Sequence, residues 1–138
     1  MSELVLDCSV TLSWCFPDEV DAYAVAVREA MRQSTAYVPA VWWLEVANGI
    51  LVAERRGRMT QSESAQFSLI LDSFRVYEDP DSEHARFDEV IVVGRRYGLS
   101  SYDASYLELA IRRGLPIATL DGRLTEAAAK AEVPVYRP

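Results

Sequence analysis

Four carboxylates stand where a charge is unwelcome. Asp7 ends the apolar run Glu3–Leu6 (ELVL), Asp121 ends the run PIATL, Glu45 lies inside VWWLEVANGIL, and Asp103 lies in LSSYDASYLELA. Taken singly, three of them have ordinary explanations. Asp7 or Asp121 can cap the turn after a strand, and Asp103 near a helix start gains about 0.3–1 kcal/mol from the helix dipole. Glu45 is harder to explain. Its helix neighbours at three and four residues are Val41, Trp42, Asn48 and Gly49, and no Lys or Arg stands within one turn. A charge on a mostly buried helix costs several kcal/mol unless it is paired. Either a divalent cation compensates it, or an arginine from elsewhere in the chain does, or its pKa rises.

If the four acids meet, two unit charges about 4 Å apart repel by roughly 4 kcal/mol at an effective dielectric near 20. Such a cluster is poor scaffolding and a good site for a hard cation. Magnesium takes oxygen ligands and keeps several waters, so one or two direct carboxylates suffice. Acids without histidine favour magnesium or manganese over zinc. A cation so held lowers the pKa of its water and offsets charge on a phosphoryl oxygen, which suits phosphodiester hydrolysis.

Other chemistries fare worse. Cys8 and Cys15 match no zinc pattern, and His84, the single histidine, has no partner ligand. Both thiols read as structural and reduced. His84, in DPDSEHARF, reads as a solvated residue in the first turn of a helix. No nucleophile–base pair for acyl transfer is visible. The net charge of −7 argues against binding nucleic acid through a generally basic surface. Thirteen of the fourteen basic residues are arginines, and they include the pairs Arg55–Arg56, Arg95–Arg96 and Arg112–Arg113. Each pair sits near a predicted helix end, where it can serve the helix dipole or a phosphate. Trp42, Trp43, Tyr102 and Tyr106 flank the acidic motifs; core packing is the ordinary role of aromatics so spaced, and a base-stacking face is the alternative.

The elements that must position the acids alternate. Glu3–Leu6 reads as a buried strand, 18–32 as a helix, 36–38 as a strand, and Pro39 opens a helix to about Arg56. Thr60-Gln61-Ser62-Glu63 has capping-box spacing and starts a helix to about Phe74. A strand over 75–78 follows, then a helix from Ser82 to Tyr97 and another from Ser101 or Tyr102 to Gly114. Pro116–Leu120 reads as a buried strand, 124–131 as a helix and 133–136 as a last strand. Alternation implies a mainly parallel sheet covered on both faces, with ligands beyond the carboxyl ends of its strands. Asp7 and Asp121 both fall there. The 138 residues suit one domain, 1–138, with ordinary globular composition. No segment is apolar enough to cross a bilayer, and MSELVLD lacks the features of a signal peptide, so a cytoplasmic protein is expected.

These stretches resemble those of PIN-domain nucleases. VLDCSV is similar to the family's opening motif, with an acid at Asp7 and a hydroxyl at Ser9. PAVWWLEVANGI is similar to the segment holding the second acid, Glu45. LSSYDASYLELAIRRGLPIATLDGRL is similar to the most diagnostic block, with the third acid at Asp103, a hydroxyl at Thr119 and the fourth acid at Asp121. The motifs occur in family order and span nearly the whole chain. The small size resembles the VapC toxins of toxin–antitoxin pairs. The resemblance implies a three-layer α/β/α fold, magnesium-dependent endonucleolytic cleavage of RNA, a homodimer and a small antitoxin partner. It makes Asp7 and Asp103 the most direct metal ligands, with Glu45 and Asp121 acting mainly through water. Ser9 and Thr119 would orient the carboxylates. Where some members carry a further acid, this chain has Arg123 and Leu124, so one metal is implied more firmly than two.

Two phosphoryl-transfer rivals fail on residues. A receiver domain needs a lysine after a late strand, but Lys130 sits inside the final predicted helix. A haloacid-dehalogenase-like phosphatase needs a second aspartate where this chain has Ser9. A PIN-like module that binds RNA or protein without cutting is the non-enzymatic alternative; it gives no reason to keep four costly carboxylates.

Overall fold

The computed structural model describes residues 2–81 and 83–138. Four strands, β1 (Glu3–Leu6), β2 (Thr35–Val38), β3 (Arg75–Glu78) and β4 (Ile117–Ala118), form one parallel sheet in the order β3-β2-β1-β4. Successive side chains of a strand point to opposite faces. Leu4, Val5 and Leu6 are nevertheless all fully buried, so helices cover the sheet on both sides in an α/β/α arrangement.

The helices are α1 (Cys8–Ser13), α2 (Ala22–Ala30), α3 (Val41–Arg55), α4 (Gln61–Asp72), α5 (Phe87–Tyr97), α6 (Ser101–Arg113) and α7 (Gly122–Lys130). The capping box is formed in full: the Glu63 amide donates to Thr60 Oγ1 and the Thr60 amide to Glu63 Oε1. Gly98 and Gly114 end α5 and α6 in the left-handed region, at φ 65° and 64°, where a Cβ would be strained. The core gathers Leu4, Leu6, Trp42, Tyr106, Leu107 and Ile117 around β1.

Several boundaries differ from those read in the sequence. The six residues after Asp7 form α1, which was not expected. The helix expected over 18–32 starts only at Ala22, because Asp21 caps it by accepting from the Ala24 amide. The strand expected over Pro116–Leu120 shrinks to two residues, and Val133–Tyr136 contributes only the bridge Ile117↔Val135. The expected cap at Ser82 lies outside the described residues; a 3-10 turn over Glu83–Arg86 leads into α5. Among the described residues, no helix is long and apolar enough to cross a membrane.

The strand order fixes where a site can be. The chain moves outward from β1 to β2 to β3, then returns past β1 to add β4 on its other side. The connections diverge at the carboxyl ends of β1 and β4, and this is where an open parallel sheet leaves a crevice. Val5 pairs with Ile117 and Leu6 with Ala118, so the next residues on the two strands, Asp7 and Thr119, meet there.

Candidate active site

Asp7 leaves β1 at the start of α1, with its amide bonded to the Ala118 carbonyl at 2.9 Å. Only 3% of it is exposed. Its Oδ2 accepts hydrogen bonds from Ser9 Oγ at 2.6 Å and Thr119 Oγ1 at 2.7 Å. Those hydroxyls are themselves fixed by backbone: the Leu120 amide donates to Ser9 Oγ at 2.9 Å, and the Asp121 amide to Thr119 Oγ1 at 3.0 Å. Two amides therefore orient two hydroxyls, and both hydroxyls point at one carboxylate oxygen. Burial raises the Asp7 pKa and the charge of Asp121 raises it further, while Ser9 and Thr119 oppose the rise. The capping alternative fails for Asp7, whose side chain makes no cap hydrogen bond.

Asp121 does cap its helix. Its Oδ1 accepts from the amides of Arg123 at 2.8 Å and Leu124 at 3.4 Å, at the head of α7. Asp103 does not, because Ser100 takes that duty for α6 by accepting from the Asp103 amide at 3.2 Å. The half-buried Asp103 carboxyl is raised by burial, then by the charges of Asp121 and Asp7, and Arg123 opposes the rise.

Glu45 projects from α3 and is half-buried. Among the described residues no salt bridge reaches it. Its Oε1 instead accepts from Tyr106 Oη at 2.6 Å. Burial raises its pKa, Tyr106 opposes, and Asp7 and Asp103 raise it further. Among the described residues, no Lys or Arg pairs with Glu45. Sequence reading gave Tyr106 a core role with base stacking as the alternative; the residue is fully buried, and its hydroxyl reaches Glu45. The signal available was its spacing, three residues after Asp103 and so on the same face of α6. Gly49 lets α3 lie against α1: a Cβ there would come within 2.5 Å of Leu12 Cδ2. That close approach brings Glu45 to Cys8 and Asp7.

The charge of Asp7 thus acts on Glu45 and Asp103, that of Asp121 on Asp7 and Asp103, and Arg123 opposes at Asp103. Among the described residues, no three Asp, Glu, His or Cys side chains form a ready-made metal cage. Magnesium does not require one, since it binds through one or two carboxylates and keeps water on its other positions. The donor set is entirely oxygen and fits such a cation.

Elsewhere, one arginine pair serves the fold. Arg112 and Arg113 bind Asp79, and Arg112 also binds Glu108 at 2.9 Å. Both cysteines are free; burial pushes Cys15 up to about 12 and Cys8 upward as well. His84 is exposed in the 3-10 turn.

The PIN-domain family profile matches residues 4–130. The chain belongs to the PIN-domain family. This PIN domain is 37% identical over 81 residues to the exonuclease VapC9 of Pyrobaculum aerophilum, a stretch covering 58% of the chain and 57% of that relative. It is 29% identical over 125 residues to the ribonuclease VapC3 of the same organism, covering 90% of the chain and 93% of that relative. The crystal structure of PAE2754 from Pyrobaculum aerophilum superposes with a TM-score of 0.68 at 26% identity, over 92% of this chain and 87% of that one. FitAcB from Neisseria gonorrhoeae shares the fold at a TM-score of 0.65 and 19% identity, over 100% of this chain and 98% of that one.

Proposed function

We propose that this PIN domain is a magnesium-dependent endoribonuclease, the toxin of a toxin–antitoxin pair, cutting RNA phosphodiester bonds at Asp7, Glu45, Asp103 and Asp121. The observation that carries the reading is Asp7: a carboxylate 3% exposed, met by two hydroxyls and by further negative charge. A structural aspartate so buried would have acquired a guanidinium. The likeness to relatives named ribonuclease and exonuclease supports phosphodiester chemistry.

In this reading Asp7 and Asp103 hold a magnesium ion directly, and Glu45 and Asp121 hold it through water; manganese can replace it. When bound, the cation lowers the pKa of water and offsets charge on the phosphoryl oxygen under attack. Ser9 and Thr119 keep Asp7 Oδ2 aimed, so its other oxygen is free for the ion. Asp121 uses one oxygen to cap α7 and has the other to offer. Arg123, whose charge acts on Asp103, is exposed and would be the nearby cation for an incoming phosphate. The 138 residues would work as one domain, in a homodimer, in the cytoplasm, held inactive by a small antitoxin.

A circular single-stranded RNA tests this directly, because it has no end for an exonuclease. Magnesium should let the protein linearise it, chelator should stop cutting, and Asp7→Asn should reduce the rate at least 100-fold, about 3 kcal/mol of barrier. Cutting confined to linear RNA would overturn the endonuclease reading, and an Asp7→Asn protein that cuts at the parent rate would overturn the site.

A further inference from the structure

We infer that Tyr106 is a positioning residue for Glu45, its buried hydroxyl fixing one carboxylate oxygen and thereby setting how tightly the acidic site holds its cation. The inference rests on the metal-dependent reading above. A glutamate is an awkward member of such a site. It has three side-chain torsions, and the last is broad and only loosely constrained. Asp7 solves the same problem with a shorter side chain and two hydroxyl donors. Among the described residues Glu45 has one hydrogen-bond donor, Tyr106 Oη at 2.6 Å.

Tyr106 is suited to that task. It is fully buried among core residues, so its ring has no freedom to follow the carboxylate. It lies on α6 three residues after Asp103, so one rigid helix presents a proposed ligand and the donor that orients another. Tyr106 therefore ties α6 to α3 at the site. A buried tyrosine hydroxyl does need a partner. A purely structural account would have Glu45 serving Tyr106 rather than the reverse, and the two accounts differ in what removal of the hydroxyl does to cation binding.

The test is manganese binding to the full chain without RNA, followed by electron paramagnetic resonance at fixed pH. Tyr106→Phe keeps the ring and should weaken binding about tenfold, the loss typical when a group orienting a ligand is removed. In a Glu45→Ala background, which removes the acceptor, the same substitution should add nothing, since its target is gone. Leu109→Ala, at another buried position on α6, should lower stability and leave binding unchanged. Unaltered binding in Tyr106→Phe, beside an Asp7→Asn protein that binds poorly, overturns this inference alone. An equal loss in the Glu45→Ala background also overturns it. Wild-type protein that binds no manganese, or Asp7→Asn that binds it normally, overturns the metal site and this inference with it.

Discussion

Asp7 and Asp79 are nearly equally buried, at 3% and 1% exposure, and their surroundings are opposite. Asp79 follows β3 with its amide on the Val38 carbonyl, and its carboxylate meets Arg112 and Arg113 together. Arg112 also grips Glu108, and Arg113 lies over the Tyr37 ring at 4.2 Å. Burial raises the Asp79 pKa, but the two guanidinium groups more than offset it and hold it below the usual carboxylate range. Asp7 meets hydroxyls and other acids, and its pKa is raised. Burial of a carboxylate therefore says little by itself. The charge of its neighbours separates a group that fastens the fold from one that holds its charge in reserve.

The sharpest way to break that contrast is to neutralise each acid. Asp79→Asn leaves two guanidinium groups facing a lost charge and should cost about 3 kcal/mol, the low end for a buried pair because both arginines are partly exposed. Asp7→Asn should leave stability in chelator unchanged or slightly higher. Urea unfolding of both variants measures the difference, and equal losses would erase it.

Acid and base should separate the two regions as well. The raised groups, Asp7, Glu45 and Asp103, bind protons more tightly folded than unfolded. The stability of metal-free protein should therefore fall as pH rises above about 4, the unfolded carboxyl range, through their higher folded values. Asp79 acts in the other direction: its stabilisation is present above about 4 and is lost as pH falls through its depressed folded value. Melting curves from pH 3 to 8 in chelator should show the high-pH decline flattened in Asp7→Asn and the low-pH loss reduced in Asp79→Asn. A parental profile in both would remove the distinction.

The smallest effect concerns how α3 reaches the site. Gly49→Ala should gain about 1 kcal/mol in helix propensity and lose about 1–3 kcal/mol by pressing on Leu12. The net loss should be no more than about 2 kcal/mol, because the atoms met are the movable ends of a leucine. A loss above 3 kcal/mol by urea unfolding would show that α1 cannot give way there.

The frame of the fold was legible where local rules agree with the tertiary structure. ELVL, RVYE and the Thr60–Glu63 capping box appear as read, and so does the parallel sheet. The family motifs led to the four acids, and Ser9 and Thr119 do hydrogen-bond Asp7. The misses share a cause. The helix α1 is six residues with no side-chain cap, so packing against α3, not propensity, sustains it. The run PIATL is strand only at Ile117 and Ala118, because Thr119 turns to the site. Tyr106 looked like core because it is core; nothing in a linear pattern shows that its hydroxyl ends beside Glu45, 61 residues away.

The pairing of β1 with β4 has a consequence for the order of biosynthesis. Thr119 closes on Asp7 across 112 residues, and Asp121 arrives with it. A chain still on the ribosome can have most of its helices and three of its strands without the pocket. The pocket can close only after the residues through Asp121 have been made, so its acids come together late in synthesis.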